Sequence, residues 1–263
     1  MAMDEAKGLA RQAIGIWRGG RHLVGAALIS VLALAVPVSM PAHANVTISP
    51  IASVIAGERA QVSVIRVTSQ SPQTQYVDVS VKHIVDPATD AEHEIPVSLA
   101  QGAGLVASPA KFVLAGGASR LVRVVSLGRP EIETAYRVYF RPVAAPDDAH
   151  AQSSLTDFDP DVHVNFVWGA LVRVAPKTPT PELRRTEDNR GLRNTGNVRA
   201  HVRAVGHCTG DADNTCDWLD VGRSVYPGQT QAFPDTLHRL PVRIKYLLDG
   251  YADAQVMHLP LVP

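Results

Sequence analysis

The chain has 263 residues, 25 basic and 25 acidic side chains, 46% hydrophobic residues and two cysteines. Balanced charge gives no general attraction to nucleic acid or to an anionic membrane, which sets those function classes aside. The length suits one large or two ordinary domains.

The first segment reads as a secretory signal peptide over residues 1–44. Lys7, Arg11, Arg18 and Arg21 form a positive region, although Asp4 and Glu5 are unusual there. Leu23 to Met40 is an uncharged, mostly apolar run, and Ala42-His43-Ala44 is a small-x-small cleavage site, so the mature chain is expected to begin at Asn45. The competing reading is an uncleaved anchor, because Leu23 to Met40 reaches the lower length limit for spanning a bilayer. Pro37 and the Ala-His-Ala site favour cleavage.

After residue 45 the sequence is a series of short alternating or β-branched runs broken by turn residues. Val46 to Ser53 opens the series. Ala60 to Thr68 and Tyr76 to Val85 alternate with period two, as half-buried strands do. Further runs are Ile95 to Leu99, Lys111 to Leu114, Ser119 to Leu127 and Tyr136 to Val143, with a tight turn at Gly116-Gly117. Ala144 to Asp161 is polar and loop-like, and Val162 to Ala175 is the longest strand expected. Pro176, Pro179 and Pro181 then make a stiff connector and a domain boundary. Weaker runs follow up to Leu259, with a turn at Tyr226-Pro227-Gly228-Gln229. Strands and turns in this number predict an all-β protein with an immunoglobulin-like sandwich in each half.

Export implies an oxidising compartment, so Cys208 and Cys216 are expected to form a disulfide around a short polar loop. A zinc site with His201 and His207 is the rival, but no second Cys or His pair at finger-like spacing follows. No phosphate loop, nucleophile elbow or paired-histidine helix is present, so neither an enzyme nor a cofactor is expected. Asp157, Asp159 and Asp161 have the opening spacing of a calcium loop. Val162 stands where the turn glycine belongs and Trp168 where the bidentate Glu belongs, so a solvated acidic loop is the better reading.

The informative segment is Asp161 to Pro176. Val162, Val164, Phe166 and Trp168 place large apolar side chains on one face of a strand. Such a row either faces a core or is lent to another protein's incomplete sheet. Periodicity alone leaves both open.

Several motifs occur in a fixed order. Gly57-Glu58-Arg59 precedes the second strand. Ser108-Pro109-x-x-Phe112-x-Leu114 is followed by Gly117 and Arg120-x-x-Arg123-Val124. Glu133-x-x-Tyr136-Arg137-Val138 comes before the long alternating strand and its proline-rich end. Together they resemble the periplasmic pilus chaperones of the chaperone–usher pathway, the PapD-like superfamily, across the whole mature chain. Tyr136 to Pro142 looks most like the alternate branch serving thin or class 5-type fimbriae.

The resemblance implies two immunoglobulin-like domains in an L-shaped arrangement, over 45–176 and 177–263. It implies a periplasmic chaperone for fimbrium biogenesis and pilus assembly. Its partners would be pilin subunits, bound by donor-strand complementation through Val162, Val164, Phe166 and Trp168, and an outer-membrane usher. In the better-known branch two basic residues hold the pilin's terminal carboxylate. The matching positions here are Ala52 and Leu171, so neither anchor carries over. A buried carboxylate still requires a cation. Arg137 and Arg173 are the preferred candidates, with Arg123 and Arg66 also on nearby strands, and an ordinary ion pair is the competing role of each. Arg123 could instead tie the two domains together, as a matching arginine does in relatives. An exposed apolar strand is an aggregation hazard, which makes a self-capping homodimer a further expectation. The runner-up reading is an exported structural protein, an immunoglobulin-like adhesin domain or pilus component.

Overall fold

The computed structural model describes residues 45–56, 61–99, 104–144, 166–210 and 212–263. The expected signal peptide, Gly57-Glu58-Arg59, the acidic stretch Asp157 to Asp161, and Val162 and Val164 lie outside these residues. Among the described residues there is no α-helix, and none is long and apolar enough to cross a membrane.

The first ten strands are β1 (Val46–Ser49), β2 (Ala52–Ile55), β3 (Val62–Ser69), β4 (Gln75–Val85), β5 (His93–Pro96), β6 (Leu105–Ser108), β7 (Lys111–Leu114), β8 (Ser119–Ser126), β9 (Thr134–Val143) and β10 (Trp168–Val174). One sheet has the order β1-β3-β8-β6. The other has the order β2-β10-β9-β4-β5, with β7 also on β4. Alternation decides which side chains face inward. Ile65 and Val67 of β3, Val122 and Val124 of β8, Val138 and Phe140 of β9, and Val172 and Val174 of β10 share one buried core. The run expected as a single strand, Val46 to Ser53, is split between the two sheets. Pro50 carries no N–H for a ladder, so the chain leaves β3 there and re-enters beside β10 as β2.

The second group is β11 (Leu183–Arg185), β12 (Gly191–Asn194), β13 (Ala200–Cys208), β14 (Cys216–Val225), β15 (Thr230–Ala232), β16 (Val242–Leu247) and β17 (Gln255–Leu259). They form sheets β11-β12-β15 and β14-β13-β16-β17 around a separate core that includes Leu192, Val202, Phe233 and Ile244. The fold is thus two immunoglobulin-like sandwiches, with the proline connector between β10 and β11. The turn read at Tyr226 to Gln229 is present: Gln229 N–H donates to Tyr226 O at 3.0 Å, and Gly228 has φ +81°.

Two groups staple the second sandwich. Arg185 is buried without a carboxylate and donates to the carbonyls of Leu240 (2.8 Å), Leu237 (3.0 Å) and Asn189 (3.1 Å), while its guanidinium lies 5.4 Å over the Phe233 ring. Cys208 and Cys216 form the expected disulfide between facing positions of β13 and β14. Replacing both cysteines with serine should lower stability by roughly 2–3 kcal/mol, the loop-closure entropy of so short a ring. Urea unfolding followed by circular dichroism measures it, and an unchanged midpoint would show the staple to be dispensable.

Candidate functional site: the free edge of a strand and the cleft beside it

β10 is bordered differently on its two sides. Leu171 N–H donates to Ile51 O at 2.9 Å and Ala175 N–H to Ile55 O at 3.0 Å, so the odd-numbered amides turn toward β2. That parallel pairing starts at Leu171↔Ala52 and ends at Val174↔Ile55. β9 pairs over a longer stretch, from Trp168↔Phe140 to Val174↔Thr134. Gly169 is therefore flanked by β9 alone, and its N–H and C=O point to an edge that β2 no longer covers. Ahead of it, Phe166 and Val167 are 41% and 46% exposed. An edge of unpaired amides next to exposed apolar side chains is a template for pairing with another chain.

The apolar row read from the sequence divides here. Ala170, Val172 and Val174 carry its parity into the core. Trp168 packs against that core, and its indole Nε1–H donates to Val46 O at 2.6 Å, which binds it into its own sandwich. Phe166 is the described member of the row that stays open to a partner.

The outward face of β10 is shaped by close approach at Gly169. A Cβ there would meet Arg137 Cδ at 3.0 Å and Tyr139 Cε1 at 3.2 Å, so a larger residue would displace both side chains. Arg137 donates to Glu94 (2.7 Å) and Glu92 (3.1 Å), and the Tyr139 hydroxyl donates to Glu94 at 2.8 Å. One guanidinium thus faces two carboxylates.

The C-terminal end of β10 runs into the junction between the sandwiches. Arg173 is buried there. It bridges Asp249 in a two-pronged contact and Glu133 at 3.3 Å. Arg199 donates from Nη2 to Asp249 at 2.9 Å, from Nη1 to Ser224 Oγ at 2.7 Å, and from its backbone N–H to Glu133 Oε2 at 2.9 Å. Leu171, Ile84 and Ala135 of the first sandwich pack on Tyr226 of the second. Gln229 Nε2 adds a hydrogen bond to Pro87 O at 2.9 Å.

These contacts line a cleft of about 510 Å³ whose walls include Ala52, Leu171, Arg173, Arg199, Tyr226 and Asp249. The two positions that lack the expected anchors, Ala52 and Leu171, are register partners on its wall. Burial pushes the Glu133 carboxyl above its usual range, more than the Arg199 N–H and the Arg173 charge pull it down. Burial acts the same way on Asp249, but the hydrogen bonds and charges of Arg173 and Arg199 outweigh it and hold that carboxyl low. His201, also in the cleft, is lowered by burial and by Arg199 and Arg203, so it is neutral at pH 7.

Of the four candidate cations, Arg173 lies in the cleft and Arg137 lies on the adjacent sheet face. Arg66 and Arg123 are exposed on β3 and β8, on the outward face of the other sheet, and do not line the cleft. The interdomain tie considered for Arg123 is made by Arg173 and Arg199. Glu133 stands in one of the ordered motifs, but nothing in the sequence pointed to Arg199 or Asp249, whose partners are distant along the chain. His207 Nδ1 is 2.9 Å from Pro241 O. With both cysteines in a disulfide, and no group of three or more His, Cys, Asp or Glu placed to hold a metal among the described residues, the zinc alternative has no ligand set.

No family model matches the chain. It is 33% identical over 194 residues to a CS1 fimbrial subunit of Escherichia coli, covering 72% of this chain and 80% of that protein. It is 31% identical over 190 residues to a CFA/I fimbrial subunit of Escherichia coli, covering 71% and 78%. Among solved structures, the class 5 fimbriae chaperone CfaA superposes with a TM-score of 0.66 at 27% identity, over 82% of this chain and 99% of that one. A chain from a chaperone–tip adhesin complex of CFA/I fimbriae biogenesis gives 0.64 at 29% identity, over 82% and 100%. The chain belongs to the PapD-like fimbrial chaperones of the chaperone–usher pathway, on the alternate branch with these class 5 proteins.

Asp249 is the carboxylate shared by both junction arginines, so Asp249→Asn should destabilise the protein by about 2 kcal/mol, discounted from the ~3–5 of a fully buried pair because Asp249 is partly exposed. Its lowered pKa means that its contribution is complete above the unfolded carboxyl value of about 4 and fades as pH falls below it. Urea unfolding at pH 7 and at pH 3 should therefore separate wild type from D249N more widely at the first pH than at the second. Glu133, raised in pKa chiefly by burial, works in the opposite sense, and less strongly in D249N, where the Asp249 charge that helps to raise it is gone.

Proposed function

We propose that this protein is a periplasmic chaperone that captures fimbrial subunits by lending them the N-terminal part of the strand around β10, and hands them to an outer-membrane usher. It is a binding protein, not an enzyme. The carrying observation is the uncovered edge at Gly169, flanked by the exposed Phe166 and Val167. Val162 and Val164 extend the same row by sequence parity, with Trp168 at its inner end. A pilin strand that paired along this edge would reach its limit where β2 begins, at Ile51 and Ala52, and its terminus would enter the cleft. No nucleotide is needed, because sheet hydrogen bonds and burial of apolar side chains supply the binding energy.

For the terminal carboxylate, Arg173 with Arg199 beside it is better supported than Arg137. Arg137 already faces Glu92 and Glu94 alone, a set with net negative charge that repels a further anion. In the cleft two guanidinium groups face two carboxylates, one of which is pushed toward its neutral form. The division of the mature chain into domains 45–176 and 177–263, the cleavage after Ala44, and the removal of the leader before the protein works belong to the same proposal. A dimer through two free edges is the corresponding resting state of the unbound protein.

The rival is a structural fimbrial component, and both curated relatives are named as fimbrial subunits. Favouring the chaperone, the two-sandwich chain matches nearly the whole of a solved fimbrial chaperone. Val164→Glu and Phe166→Glu should each weaken pilin binding by about 100-fold, since each forfeits the ~1.5–3 kcal/mol of a buried large apolar side chain and forces a charge into its place. Co-purification of pilin from the periplasm reads this, with circular dichroism confirming the fold. Wild-type recovery of pilin with both variants would refute strand donation by this row.

A further inference from the structure

The sheet that does not donate a strand has an outward face of unusual composition. β1, β3, β6 and β8 contain three arginines and no aspartate or glutamate, although acidic and basic residues are equal in number over the whole chain. On the outward side, Val62 pairs across with Val125, Val64 with Arg123, and Arg66 with Leu121. β6 adds Val106 beside Val125. Val62, Val64 and Leu121 are 46%, 43% and 50% exposed, and Leu127 just beyond β8 is exposed as well. Arg66 and Arg123 stand exposed among these aliphatic side chains, without a carboxylate partner among the described residues. Neighbours on one sheet face lie about 5–8 Å apart, so these residues make one continuous patch. Isolated exposed valines are ordinary, but a contiguous apolar patch marked by one sign of charge is an interaction surface.

The placement of the charges selects the occupant. In a membrane-seated surface the apolar tips enter the hydrocarbon and the cations ring them at headgroup level. Here Arg123 sits inside the patch, between Leu121 and Val125 on β8 and across from Val64, where lipid would bury it. Arg66 lies between Leu121 and Ser49 at one margin, and the four strands contribute no aromatic side chain to anchor the face. A second copy would bring arginine onto arginine. A protein surface that presents carboxylates among apolar residues satisfies both the enclosed Arg123 with its neighbour Arg66 and the aliphatic rows, and arginine is enriched at such interfaces.

We propose that the outward face of the β1-β3-β8-β6 sheet is a second protein-docking surface. It takes an acidic, partly apolar partner at a step after pilin capture, while the free edge of β10 is occupied. This rests on the chaperone reading above.

The test uses two variants in cells that express the chain together with its fimbrial subunits and assembly machinery. V64E/L121E places charge in the apolar rows. R66E/R123E reverses the two cations and leaves the aliphatic side chains in place. Both should co-purify pilin at the wild-type level and yield at least tenfold fewer surface fimbriae, counted by electron microscopy. Normal fimbriation by R66E/R123E would overturn the proposal, as would loss of the pilin complex in a folded variant, which would assign the face to capture. Binding of wild type, but not R66E/R123E, to vesicles of phosphatidylglycerol and phosphatidylethanolamine would reassign the face to lipid. A wild-type dimer in gel filtration that R66E/R123E abolishes would reassign it to a second copy. Failure of the chaperone reading is distinguishable, because the wild-type protein would then yield no pilin complex.

Discussion

The proposed subunit-binding edge follows from a difference in length between two neighbours of one strand. β9 accompanies β10 from Trp168 onward, whereas β2 joins it only at Leu171. Backbone amides in a sheet must be paired or solvated. The short β2 therefore leaves Trp168 and Gly169 paired with β9 on one side and open on the other. Pro50 is the local cause, since it ends β1 on the first sheet and releases the chain to start β2 late on the second. An open strand edge is thereby built into a domain with a buried core.

The junction between the sandwiches turns that edge into a site with an end. Arg173 lies on the same strand as the open edge, four residues beyond Gly169, and is tied to Glu133 and Asp249. Arg199 draws the second sandwich onto the same two carboxylates. Buried charges persist only when paired, and this cluster sets two cations against two anions, with the Nε–H groups of Arg173 and Arg199 left without an acceptor among the described residues. The strand that would be lent is thus rigidly continuous with the cluster that fixes how the two sandwiches meet. Under the proposed function, a partner strand following the edge would be brought to a cleft where arginines from both halves meet.

Burial and partnership, more than residue type, separated the candidate arginines. All four are arginines on strands of the first sandwich, yet they have different fates. Arg173 is held in the cleft, Arg137 is neutralised by two glutamates over Gly169, and Arg66 and Arg123 remain in solvent on the far sheet. Trp168 shows the same effect for the apolar row. Its parity matches Phe166, but its indole is committed to Val46. Two faces of one domain consequently carry different chemistry, an open backbone edge on one sheet and an apolar, arginine-centred surface on the other.

The alternation of Ala60 to Thr68, Tyr76 to Val85 and Tyr136 to Val143, the turn at Tyr226 to Gln229, the proline connector and the disulfide were legible in the sequence. Each is set by side-chain period, by the conformational limits of proline and glycine, or by a short loop, and these act between near neighbours. The single strand expected over Val46 to Ser53 was not one, because sheet switching depends on which distant strand offers a partner. Three matters were decided by tertiary structure alone: where β2 stops covering β10, which arginine reaches the cleft, and which carboxylates meet it there. Arg173 is separated from its two carboxylates by 40 and 76 residues, and Leu171 pairs with the far more distant Ala52. No periodicity records a contact at that range, because it exists only once two sandwiches have folded and met.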